Sequence, residues 1–108
     1  MYITDKMLSF DINRKRYKKK AGVFICKKCI DSKPYHYDDD DLVLLVQSYN
    51  NLWGIPKGTF ETCDQDDPMN CAVREVFEET GLQLEKSQLY RLYVIKSENF
   101  FYYTELPT

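Results

Sequence analysis

Asp67-Pro68-Met69-Asn70-Cys71-Ala72-Val73-Arg74-Glu75-Val76-Phe77-Glu78-Glu79-Thr80-Gly81 is the stretch whose reading decides the fold. Asp67 is placed to accept from the first free helical N–H groups. Pro68 suits the first helical position, where a missing N–H costs nothing, and Gly81 can close the helix in a left-handed conformation. Met69, Ala72, Val73, Val76 and Phe77 recur at three- and four-residue spacing, which predicts a helix over 68–80 with these side chains as its buried stripe. The other face is charged. At about 100° per residue, Glu75, Glu78 and Glu79 fall within one narrow arc. Carboxylates at such spacings destabilise a helix by a few tenths of a kcal/mol per pair. Arg74, four residues before Glu78, offsets only part of that. The arc is open to two readings: a solvated acidic face, the commonest fate of such a cluster, or oxygen ligands for a hard divalent cation.

Working outward, short apolar runs stand on both sides of this helix. Ala21-Gly22-Val23-Phe24-Ile25-Cys26 is β-branched and apolar and predicts a buried strand. Leu42-Val43-Leu44-Leu45-Val46 predicts a second, paired with the first as a hairpin. The connection between them holds Pro34 and the four carboxylates Asp38 to Asp41, which repel one another in a packed element and so predict a solvated loop. Trp53-Gly54-Ile55-Pro56-Lys57-Gly58 is a short extended segment whose glycines let backbone come close to something. After the helix, Leu89 to Ile95 and Phe100 to Tyr103 predict two strands joined by a Lys96–Asn99 turn. Strands before and after one helix predict an α+β chain, a mixed sheet with helical cover.

Bulk properties narrow the class. A chain of 108 residues accommodates one core, and 44% hydrophobic residues supply it. A net charge of −2 gives no global field for nucleic acid or an anionic membrane. The local exception is Arg14 to Lys20, which makes residues 1–20 a basic flank, more often solvated than bound to phosphates. No apolar run is long enough to span a bilayer and the N-terminus has no signal-like stretch, so a cytoplasmic protein is expected, with no membrane partner. The four cysteines then read as reduced thiols, and the lone Cys26-Lys27-Lys28-Cys29 pair is a weak signal for zinc.

From Gly58 to Leu82 the chain resembles the Nudix box, G-x5-E-x7-R-E-U-x-E-E-x-G-U, where U is apolar. Arg74 to Leu82 matches at every specified position. Two departures lie in the front half: Asp64 stands for the first glutamate, and Arg74 follows it two residues late, so the loop is lengthened. The resemblance implies a Nudix domain over 21–108 with the α/β/α sandwich of that fold. It implies magnesium or manganese bound by Glu75, Glu78, Glu79 and the carbonyl of Gly58. Arg74 would hold the loop and carboxylates in place, paired with Glu61, Asp64 or Asp66, and would act with the three glutamates in catalysis. The implied reaction is water attack on the pyrophosphate of a nucleoside diphosphate linked to another moiety. Trp53 to Gly58 looks most like the mRNA-decapping and diadenosine polyphosphate hydrolase branches, in which Lys57 would sit beside substrate phosphates. A nucleotide-type substrate, RNA among the candidates, is therefore expected. A complete domain of the family continues with a further strand and a C-terminal helix, and this chain stops before them. The sheet face that helix covers is then left to a partner chain, or to none in a shortened form, and a non-catalytic nucleotide- or RNA-binding module is the competing reading.

Overall fold

The computed structural model describes residues 19–31, 33–36, 38–95 and 98–106. The basic run before Lys19 and the Lys96-Ser97 half of the last turn lie outside them. Strand β1 (Lys20–Lys27) is the spine of a five-stranded sheet. One of its edges pairs in parallel along its whole length with β7 (Asn99–Leu106), from Lys20 against Asn99 to Lys27 against Leu106. β6 (Tyr90–Ile95) pairs antiparallel with β7 as the predicted hairpin, with an irregularity between Arg91 and Tyr93.

The other edge of β1 is shared. Strand β5 (Lys57–Thr59) takes Lys20 to Gly22, and β2 (Leu42–Val43) takes Cys26 and Lys27. This sharing explains a correction to the expected continuous strand over 42–46. Val23 N already donates to Pro56 O at 3.1 Å, so only the far end of β1 remains for pairing. The chain leaves the sheet after Leu44, whose N–H donates to Ile25 O at 2.9 Å. It then forms a separate two-stranded hairpin from β3 (Val46–Gln47) and β4 (Trp53–Gly54).

Helix α1 (Pro68–Thr80) has the predicted bounds and caps: Asp67 accepts from Met69 N at 2.9 Å, Pro68 is first, and Gly81 ends it at φ 77°. Alternation along β1 sends Ala21, Val23 and Ile25 toward α1, where they join Cys71, Ala72, Val76, Leu84, Leu89 and Tyr102 in one core. Met69 and Val73 pack at its margin, but Phe77 is 51% exposed. The buried arc of α1 is Cys71, Ala72, Glu75 and Val76, rotated away from Phe77 because the helix also leans on β5 and turns Glu75 inward. Among the described residues α1 is the only α-helix, so one sheet face carries helical cover. No helix there is long and apolar enough to cross a membrane.

The aspartate run is not uniformly solvated. Asp41 accepts from Lys28 Nζ at 2.7 Å and from Cys29 N at 2.9 Å, and both partners of the ion pair are nearly buried. The hydrogen bond to Asp41 is the main reason the Lys28 ammonium is held above its usual range. This pair pins the long β1–β2 connection to the sheet.

Candidate active site

Helix α1 carries the acidic arc, and the loop from Thr59 to Asp67 carries its counterpart. That loop winds one 3-10 turn, Thr62–Asp64, in which Glu61 N donates to Asp64 Oδ2 at 2.8 Å. Two successive left-handed residues, Gln65 at φ 55° and Asp66 at φ 58°, then turn the chain into α1 where the loop is lengthened. Such conformations cost a non-glycine residue on the order of 1 kcal/mol, and the anchoring of Asp64 holds them.

Asp64 is the partner of Arg74. Its two oxygens accept from Nε at 2.8 Å and Nη2 at 2.9 Å, a bidentate fork, and it is 2% exposed. The Arg74 hydrogen bonds hold the Asp64 carboxyl below the usual carboxylate range despite its burial. Glu61 lies farther off, 3.5 Å from Nη1, and Asp66 turns outward to Lys19. The choice left open by the sequence among these three acids thus falls on Asp64. Nη2 also donates to Thr59 O at 3.0 Å, so one guanidinium ties β5, the loop and the helix together.

The remaining Arg74 nitrogen faces the acidic arc. Nη1 lies 3.0 Å from both Glu75 Oε2 and Glu78 Oε1. Glu75 is buried, with its carboxyl against the α-carbon of Gly58, and an added Cβ on Gly58 would overlap it. Burial raises the Glu75 carboxyl above its ordinary range, with the negative charges of Glu78 and Glu79 adding to that rise against the pull of Arg74. Glu79, one turn on from Glu75, accepts from Lys57 N at 3.3 Å and is likewise raised, chiefly by desolvation. The carbonyl of Gly58 accepts from Cys71 Sγ at 3.6 Å.

The six residues given site roles by the resemblance lie along one seam, with Lys57 and Gly58 on β5 and Arg74, Glu75, Glu78 and Glu79 on α1. Among the described residues, however, no three carboxylate, histidine or cysteine groups stand converged as a ligand set. The physical reason is Arg74, which acts as the cation between Glu75 and Glu78 while Glu79 turns to the β5 backbone. The donor set nonetheless fits a hard dication. It consists of oxygens, two of its carboxylates are raised by burial and by the neighbouring charge of Glu78, and Glu78 is half exposed.

Sequence reasoning gave no role to Cys71. It is buried beneath the site, and burial pushes its thiol up to about 12. Its place one turn before Glu75 was the available signal, and the apolar stripe obscured it. Glu105, on β7, accepts from Tyr103 Oη at 2.7 Å and Tyr35 N at 2.9 Å.

Gly58 supplies a test of this geometry. The group an alanine Cβ would meet is the end of a flexible side chain, so Gly58→Ala is expected to displace Glu75 and leave the sheet standing. Magnesium affinity by titration calorimetry should fall by about 10- to 100-fold with little change in Tm. An unchanged affinity would remove the Gly58–Glu75 contact from the site.

This fold and this arc of acids define a class. A family model described as NUDIX domain matches residues 35–106, and the chain belongs to the Nudix family. The provisionally named hydrolase 111R of Invertebrate iridescent virus 3 is 40% identical over 91 residues, which are 84% of this chain and 46% of that protein. The chain thus spans about half the length of that curated relative. Among solved structures, an Ap4A hydrolase from C. elegans in a binary complex superposes with a TM-score of 0.56 at 23% identity, over 84% of this chain and 67% of that one. T. brucei MERS1 in an RNA complex gives 0.60 at 14% identity, over 87% and 36%. Both share the fold.

Proposed function

We propose that this chain is a divalent-metal-dependent Nudix pyrophosphohydrolase acting on a nucleoside diphosphate linked to another moiety. The observation that carries the reading is the clamp of Arg74 by Asp64, which sets Nη1 between Glu75 and Glu78 on the helix face that also bears Glu79, beside Lys57 and Gly58. Glu75, Glu78, Glu79 and the Gly58 carbonyl would hold the metal. Magnesium or manganese, when bound there, supplies neutralisation of pyrophosphate charge and a lowered pKa for bound water.

The protein's own residues prepare that step. Arg74 keeps the loop and helix in register, and its Nη1 orients Glu75 and Glu78, two of the residues that would hold the metal. Glu75, wedged against Gly58, is held in one orientation, which limits the reorganisation needed on binding. Glu79 lies next to Lys57, whose ammonium can pair with a substrate phosphate as a point charge. Dinucleoside polyphosphates and capped mRNA are the substrate classes we favour, in keeping with the likeness of Trp53 to Gly58 to those branches and with neighbours that include an Ap4A hydrolase and an RNA complex. Four free thiols accord with a reducing compartment, and we assign the protein to the cytoplasm.

One observation favours a second reading. Arg74 already serves as the cation between Glu75 and Glu78, as in a module that binds nucleotides or RNA without cleaving them. A magnesium-dependent hydrolysis panel separates the two: capped RNA, dinucleoside polyphosphates, nucleoside triphosphates, nucleotide sugars and diphosphoinositol polyphosphates. Turnover of at least one substrate, lost on chelation, is expected. Saturable binding of capped RNA with no turnover of any substrate would favour the second reading.

A further inference from the structure

The β3–β4 hairpin has no place in the main sheet, and the cavity it forms gives it one in the site. A cavity of about 650 Å³, within the usual range for small-molecule sites, is walled by this hairpin on one side and by Lys57 and Glu79 on the other. Its lining combines two chemistries. The Lys57 ammonium lies 4.0 Å from where a Cβ on Gly54 would stand, over the hairpin base, and Glu79 lines the same cavity. Trp53, Gln47, Tyr49 and Asn50 line it as well.

Trp53 is 65% exposed and Tyr49 fully so, which leaves flat apolar surface in water with nothing in the core to explain it. The rigidity of the turn is visible in its bonds: Ser48 N donates to Leu52 O at 2.8 Å and Asn51 N to Ser48 O at 2.9 Å. Trp53 is therefore presented by an ordered wall. Charged groups together with aromatic and amide side chains around one cavity match a ligand that joins phosphates to a planar heterocycle through a sugar.

We propose that this hairpin is the specificity wall of the site and that Trp53 stacks on the nucleobase of the substrate. The proposal rests on the hydrolase reading for which site the ligand enters, but its claim concerns binding. Among the substrates of the panel it selects those with a base next to the reacting phosphates, against diphosphoinositol polyphosphates, whose saturated ring offers no aromatic face to stack. The amides of Gln47 and Asn50 line the same cavity, where Gln47 Nε2 donates to Asn51 O at 3.4 Å and Asn50 Oδ1 accepts from Ser48 Oγ.

Trp53 is the sole tryptophan of the sequence, so its fluorescence reports this wall directly. Titration with ADP and GDP is expected to quench it saturably, while inorganic pyrophosphate and ribose 5-phosphate leave it little changed. By calorimetry, Trp53→Leu should weaken ADP and GDP by about ten- to a hundredfold and Trp53→Phe should recover much of the loss, with pyrophosphate affinity altered less than twofold. ADP and GDP affinities that ignore Trp53→Leu, or no saturable binding of either nucleotide, would overturn the proposal. Because binding is read separately from turnover, quenching without hydrolysis sinks only the hydrolase reading. Hydrolysis that is indifferent to Trp53 sinks only this one.

Discussion

Glu79→Gln is expected to lower magnesium-dependent hydrolysis by about a thousandfold or more while leaving Tm within a few degrees of the parent. The substitution keeps the volume of the side chain and removes its charge. Little structure depends on that charge. Glu79 is exposed on the last turn of α1 and accepts a long 3.3 Å bond from Lys57 N, which the amide oxygen of glutamine can still receive. Burial and the neighbouring Glu78 already hold its carboxyl above the usual range, so loss of the charge relieves repulsion in the folded state. Function is different, because in the proposed site a hard cation would lose one of its three carboxylate ligands. Phosphate release under saturating magnesium, with calorimetric melting alongside, measures both halves. Parental turnover in the variant would sink the metal-dependent reading.

Asp64→Ala should act in the opposite order, first on stability. Asp64 is buried and its fork with Arg74 is the tightest ion pair of the site, at 2.8 and 2.9 Å. Removing one member of a buried pair costs about 3–5 kcal/mol; because Glu75 and Glu78 stay near Arg74, we expect roughly 2–3 kcal/mol, a fall in Tm of about 10–20 °C. The pH dependence follows from the direction of the shift. The folded-state pKa of Asp64 lies below the unfolded one, so its contribution is fully present above the unfolded carboxylate range and is lost as pH falls through the folded pKa. The Tm gap between parent and variant should therefore hold from pH 7 down to about 5 and narrow below about 4. A gap that is flat down to pH 2, or smaller than about 2 °C at pH 7, would contradict this account. Asp64→Glu restores the residue of the family pattern and should recover most of the stability if the lengthened loop admits one more methylene.

The bounds and caps of helix α1 were legible because their signals are local, a capping aspartate, a proline and a terminal glycine, whereas its buried face was not fully so, since Phe77 is exposed and Glu75 is buried. The first strand and the final hairpin were legible for the same reason, as apolar runs bounded by turn residues. The split of 42–46 was not, since it depends on how much of the β1 edge β5 occupies, a fact of tertiary packing. Nor was the burial of Asp41, because a run of four aspartates predicts repulsion and only the fold brings Lys28 to one of them. At the site, spacing showed that the three glutamates share one arc, and Gly58 was singled out only through the resemblance to the Nudix box. The assignment of Asp64 to Arg74 needed the turn at Gln65 and Asp66, whose left-handed backbone no glycine announces.

The parallel pairing of β1 with β7 has a kinetic consequence. These strands form the centre of the sheet yet come from the two ends of the described chain, so the loop closed between them holds nearly everything else. Closing such a loop pays its entropy before any central ladder bond returns it, which places this domain among slow folders, on the scale of milliseconds to seconds. Until β7 docks, the β1 edge facing it is an open template for another strand. The acidic helix and its Asp64 latch can form early from neighbouring sequence, but the strand they lean on is fixed only at the last step of folding.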